Sequence, residues 1–199
     1  MKNKSLVLII AIGIISSSML NSCKNDTPKS IESQNQVIEV NAENEIIRGK
    51  YLVGIMGCND CHSPKRMGVN GPEIIPGLML SGYPADRPII KFTDPLIKEG
   101  FGMFYPDATA AAGPWGVSFA GNLTPDETGI GNWSEEQFKT ALTKGKFKGL
   151  ENARMLLPPM PWFNYIEMKD EDILAVFNYL KSIEPVSNIV PAPVSPEDM

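Results

Sequence analysis

"GCNDCHSP", residues Gly57 to Pro64, sets two cysteines three positions apart and a histidine directly after the second. That histidine, His62, is the only one in the chain. A Cys-x-x-Cys pair serves as a redox dithiol or as half of a zinc site, whereas Cys-x-x-Cys-His is the attachment signature for c-type haem. On one turn of helix, positions 58, 61 and 62 stand as i, i+3 and i+4 and share a face. Two sulfurs can then reach two vinyl groups while the imidazole of His62 rises beneath the iron as proximal ligand. The compartment decides among the three readings.

The N-terminus speaks for export. Lys2 and Lys4 precede the apolar run "SLVLIIAIGII", Ser5 to Ile15, and small polar residues follow as far as Cys23. A basic start, a short apolar stretch too short to span a bilayer and a small-residue zone make an export signal over residues 1–22. Leu20, Asn21, Ser22 and Cys23 resemble the lipobox of bacterial lipoproteins. On that reading Cys23 is lipidated and becomes the first mature residue. The protein is then an exported bacterial lipoprotein, anchored to a membrane and facing the periplasm or the cell exterior. Each acyl chain adds about 0.8 kcal/mol per buried methylene. An ordinary signal cleaved nearby is the other reading, and it leaves Cys23 as an odd thiol.

With Cys23 assigned to lipid, Cys58 and Cys61 remain as a pair, so a framework of several disulfides is excluded. Two close thiols in an oxidising compartment pair with each other unless a cofactor takes them, and thioether bonds to a haem do so permanently. A thioredoxin-like dithiol opens a helix in a βαβ setting, and no such alternation surrounds Cys58. Zinc needs a second pair of ligands, for which no further histidine exists. One covalent haem c is therefore expected.

Removing 22 of the 199 residues leaves 177, enough for one domain with a real core. Cleavage takes away two lysines and no acid, so the formal charge moves from −5 to −7. An acidic body argues against nucleic-acid binding. Residues 23–42 are polar and suit a flexible tether. A domain over 43–190 follows, and residues 191–199 form a C-terminal tail.

Within the domain three helices announce themselves. "AENEIIRGKYLVGIMG" spaces Ile46, Ile47, Leu52, Val53 and Met56 helically and runs into the haem motif. Ser134 with Gln137 forms a capping box for a helix that stops at Gly145. "DEDILAVFNYLKSI", Asp170 to Ile183, carries three acids in its first turn and Lys181 in its last, with Pro185 beyond. Gly49 opposite Tyr179 or Phe177 permits a close crossing of first and last helices. About seventy residues between haem motif and capping box are dense in glycine and proline, yet apolar enough to argue against disorder. They read as irregular structure covering the haem, with one or two short strands. The fold class expected is mostly α.

With one histidine, bis-histidine ligation of iron is excluded, and the usual electron-transfer alternative is a methionine thioether. Met160 in "LLPPMPW" is framed by Pro158, Pro159 and Pro161, and a stiff loop presents a weak ligand at low entropic cost. Met155 is the nearest rival, with Met56, Met79 and Met103 behind it. Asn122, Thr124 and Trp133 either direct polar hydrogens to a haem propionate or serve as turn and cap residues. Lys144, Lys146 and Lys148 are either a solvated face or a surface that steers an acidic redox partner.

"CNDCH", "AGPWGVSFAGNLTPDETGIGNWSEEQFKTAL", "LPPMPWFNY" and "DEDILAVFNYLKSIEPVSN" resemble the class I-like monohaem cytochrome c modules in cytochrome subunits of membrane-bound alcohol, aldehyde and gluconate dehydrogenases. The resemblance covers about residues 43 to 190. It implies a cytochrome c fold with His62 and Met160 as axial ligands. Those subunits often bear three haem modules and this chain has one Cys-x-x-Cys-His; it also has "SGYPADRP" where the family usually places a histidine after "SG". The function implied is electron transfer, without substrate turnover, between a dehydrogenase or quinol-oxidising complex and a terminal acceptor. The competing class is a haem peroxidase or ligand sensor with an open sixth site.

Overall fold

The structure is a computed structural model that describes residues 29–89, 92 and 95–199. The export signal and Cys23 lie outside the described residues. Five α-helices and five short strands occur among those described. The first helix, α1, spans Lys29–Ile55 and so includes residues 29–42 of the stretch read as a tether. Glu32, Gln34, Gln36 and Glu39 there are good helix formers, which lets the backbone continue N-terminally from the packed part.

From Glu45 onward α1 turns a regular face inward: Gly49, Leu52 and Val53 are buried, and Ile46 and Met56 pack against the same core. Ile47 does not share that face and is exposed. The last helix, α5, spans Asp170–Ser182 and buries Ile173, Val176, Phe177, Tyr179 and Leu180. The two helices meet at Gly49. A methyl group there would lie 1.9 Å from the Ala175 carbonyl oxygen and 2.7 Å from Cβ of Tyr179, so only glycine allows this approach. Two polar contacts fasten the crossing, Arg48 to Asp172 at 2.9 Å and Asn178 to Glu45 at 2.9 Å.

Gly57 ends α1 in a left-handed conformation, φ 69°, and redirects the chain into a one-turn helix, α2, Cys58–His62. The helix preceded by Ser134, α4, spans Glu135–Lys144. Ser134 accepts from the Gln137 amide at 3.2 Å while the Gln137 side chain accepts from the Ser134 amide at 3.0 Å, the reciprocal box expected from the sequence. Gly145 closes it.

The glycine- and proline-rich segment is more ordered than its sequence suggests. It contains an antiparallel hairpin, β1 Lys65–Gly68 with β2 Gly71–Ile74, and a short helix α3, Pro95–Lys98. A three-stranded antiparallel sheet follows: β3 Met103–Phe104, β4 Ala110–Gly113 and β5 Gly116–Phe119. Strands of two to four residues are too short for alternation to register, which is why the sequence suggests fewer. A small second core joins Ile97, Ala112 and Val117 to Phe92, Met103, Phe119, Val194 and Met199. The C-terminal tail docks there, Val194 exchanging both backbone hydrogen bonds with Val117 at 2.9 and 3.0 Å.

Candidate haem site

The site starts from α2, whose single turn puts Cys58, Cys61 and His62 on adjoining positions. Both cysteines are free thiols and half-buried. Burial pushes the Cys58 thiol up to about 11, and Cys61 is raised for the same reason, with Asp60 adding to both. A nucleophilic redox dithiol is favoured by a depressed thiol pKa, and burial pushes both thiols the other way. Nor do the described residues gather three histidine, cysteine or carboxylate groups for a zinc ion.

His62 is oriented by one bond. Its Nδ1 lies 2.7 Å from the carbonyl oxygen of Gly121, and since a carbonyl can only accept, Nδ1 carries the proton. Nε2 is left with its lone pair free to ligate, and the backbone acceptor fixes the ring plane in the way a metal-binding histidine requires. Desolvation lowers the imidazole pKa against the opposing Gly121 bond, keeping the ring neutral. Around it the loop is held at several points. The Gly82 amide donates to the His62 carbonyl at 2.8 Å, the Ser63 hydroxyl donates to Asn59 at 2.7 Å, and the Leu80 amide donates to that hydroxyl at 2.8 Å.

Met160 follows the cis Pro158–Pro159 bond in the loop before the 3-10 turn Trp162–Tyr165. The loop is anchored by the Ser118 hydroxyl, which donates to the Pro158 carbonyl at 2.5 Å, and by Trp162, whose ring lies against Gly145. A cavity of about 220 Å³ opens beside it, lined by Leu156, Pro158, Pro159, Met160, Trp162 and Phe163. Met160 is half-buried and packs on the same core as Cys58. Met155 is exposed, its backbone paired with Lys146; Met103 belongs to the second core and Met79 is exposed. Met56 and Met168 also pack on the main core. Two thiols, an imidazole with its Nε2 lone pair free and a thioether, with Cys58 and Met160 against one apolar core, are donors of the kind a thioether-linked haem iron takes, and the residues present fit that group.

Asn122 and Thr124 are buried, and they bond to the segment that follows α5: Asn122 donates to the Val186 carbonyl at 2.8 Å, and the Thr124 hydroxyl accepts from the Val186 amide at 3.0 Å. Asn122 Oδ1 also accepts from the Thr124 amide and hydroxyl at 2.9 and 2.8 Å, the local bonding of a turn residue. Lys144 pairs with Glu151 at 2.7 Å, while Lys148 and Arg154 lie over the Phe147 ring at 5.7 and 4.0 Å. Three contributors carry no sequence signal. Gly121 acts through its backbone carbonyl; Tyr165 donates to the Met56 carbonyl at 3.4 Å, its phenol pushed up by burial and then by the nearby Cys58 and Cys61; and Lys65 folds back on α2.

The helix pair, the Cys-x-x-Cys-His turn and the methionine loop define a cytochrome c type of module. No family model matches the chain. It is 35% identical over 142 residues to the gluconate 2-dehydrogenase cytochrome c subunit of Pantoea cypripedii, a match covering 70% of this chain and 24% of that protein. It is 34% identical over 87 residues to the fructose dehydrogenase cytochrome subunit of Gluconobacter japonicus, covering 43% and 17%. The cytochrome c subunit of the quinone-dependent alcohol dehydrogenase of Gluconobacter oxydans is 33% identical over 88 residues, covering 43% and 18%. The chain is thus homologous to cytochrome c subunits of dehydrogenases, and it spans a quarter or less of the length of these curated relatives.

Proposed function

We propose that this chain is a monohaem c-type cytochrome, cytochrome c domain over residues 43–190, that carries single electrons between a dehydrogenase or quinol-oxidising complex and a terminal acceptor. The observation that carries the reading is the Cys58–Cys61–His62 turn with its imidazole tautomer set by the Gly121 carbonyl. A bound haem supplies one-electron chemistry at iron. The chain's own residues do the rest. Cys58 and Cys61 would hold the group covalently, His62 would present Nε2 to its iron, and Met160 would offer its sulfur from the proline-framed loop. Leu52, Val53, Ile130 and Leu180 exclude water from the core that Cys58 and Met160 share. The dehydrogenase names of the relatives support a redox enzyme as partner, with catalysis residing in that other subunit. Lys146 and Lys148, beside the exposed Phe147 and Leu150, suit a partner with an acidic rim. Lipid on Cys23 would hold the protein at a membrane surface, facing the periplasm or the cell exterior.

Acid-acetone extraction tests the covalent link: the iron and porphyrin stay with the protein, one per chain. The ferric protein should show the weak thioether-to-iron charge-transfer band, absent in Met160→Ala and retained in Met155→Ala. A wild-type protein with high-spin iron that binds carbon monoxide readily would instead be a haem enzyme or sensor with an open sixth site.

A further inference from the structure

Lys65 opens β1 three residues after His62, and its side chain does not run out to solvent. The ammonium turns back and donates to the carbonyls of Asn59 at 3.0 Å, Asp60 at 2.8 Å and Ser63 at 2.9 Å. It also reaches the carbonyl of Asp107, which precedes β4, at 3.2 Å. Three N–H groups thus serve four carbonyls, three of them from the haem-motif turn. A helix of one turn leaves nearly all its carbonyls without intrahelical partners, and a cation is the natural group to collect them.

The charge on Lys65 is not cancelled by an acid. No carboxylate lies within 4 Å of its ammonium among the described residues. The Asp107 carboxylate is committed elsewhere, accepting from Arg87 at 2.8 Å, from the Thr109 hydroxyl and amide, and from the backbone amide of Lys65 at 3.3 Å. Arg87 in turn stacks on the rings of Tyr83 and Tyr105. Asp60, on the turn itself, is exposed and points its backbone carbonyl to the lysine.

We propose that Lys65 is the positioning residue of the haem-motif turn and a fixed positive charge that raises the reduction potential of the iron held by His62. The inference rests on the haem reading above. Ferric iron carries one more positive charge than ferrous iron, so a nearby cation that water does not screen fully favours the reduced form. In the one-electron titration, dithionite supplies the electron and ferricyanide removes it, with no proton or bond change required.

The test compares Lys65→Met, Lys65→Gln and Lys65→Arg in the full haem-loaded protein by spectroelectrochemical titration. Both neutral variants should shift the ferric-to-ferrous ratio toward ferric by about threefold to tenfold at a fixed poise, tenfold being 59 mV for one electron. Lys65→Arg, which keeps the charge and the donors, should stay close to wild type. An unchanged potential in Lys65→Met overturns the proposal. So does an equal fall in all three variants, which would report distortion of the turn and not charge. If neither neutral variant takes up haem while Lys65→Arg does, the residue is a structural clamp only, and the tuning role fails. A wild-type protein without covalent haem would sink the haem reading itself, a result distinct from any of these.

Discussion

Gly49→Ala puts the helix crossing to a quantitative test. The new methyl would sit 1.9 Å from the Ala175 carbonyl oxygen and 2.7 Å from Cβ of Tyr179, both on or next to the backbone of α5. Ordinary carbon contacts begin at about 3.5 Å, so the helices must part by about 1.5 Å. Overpacking of this kind costs about 3 kcal/mol, the upper end of the usual range, because neither neighbour is the flexible end of a side chain. Alanine returns about 1 kcal/mol of helix propensity, leaving a net loss of about 2 kcal/mol. Gly54, one and a half turns later on the same helix, faces open space and is the control. Gly54→Ala collects only the propensity gain, about 0.5–1 kcal/mol. Urea unfolding of the haem-loaded protein, followed by far-ultraviolet circular dichroism, should move the Gly49→Ala midpoint down by about 1 M and the Gly54→Ala midpoint up. Equal midpoints for the two variants would refute the argument that α1 and α5 need glycine at position 49.

Ser134→Ala removes the acceptor of the α4 capping box and should cost about 1 kcal/mol in the same assay, with the haem spectrum unchanged. Burial alone would raise the Asp107 carboxyl, but hydrogen bonds from Arg87 and Thr109 hold it below its ordinary value of 3.8. A depressed carboxyl contributes stability that is complete above the unfolded pKa and lost as pH falls through the folded one. Wild-type stability should therefore fall below about pH 4 more steeply than that of Asp107→Asn, and parallel acid limbs in urea midpoints between pH 5 and 2 would count against it. Cys23→Ser should move the protein from membrane to soluble fractions on cell fractionation; unchanged membrane association would remove the lipid anchor.

The two levels of information divide by range. The haem-motif turn, the α4 capping box and stop, the acids opening α5 and the glycine gap at position 49 rest on residues a few positions apart, or on one residue type with one steric property. Such features are legible in the chain. The small sheets are only partly so, because strands such as Met103–Phe104 carry no period and are held by pairing with a neighbour. That residues 29–42 are helical is hidden because polar helix formers and a polar tether share a composition. Cys58, Cys61 and His62 are singled out by their spacing, and Met160 is proposed from its flanking prolines. Which nitrogen of His62 is free, and which cation closes the turn beneath it, depend on Gly121 and Lys65. A glycine carbonyl has no side-chain signature, and a lysine reads as surface until the fold bends it back. Asn122 likewise finds two of its partners 64 and 66 residues away, in the segment that follows α5. Local chemistry was set by the sequence alone; the orientation of that chemistry came from contacts between segments far apart in the chain, which only packing brings together.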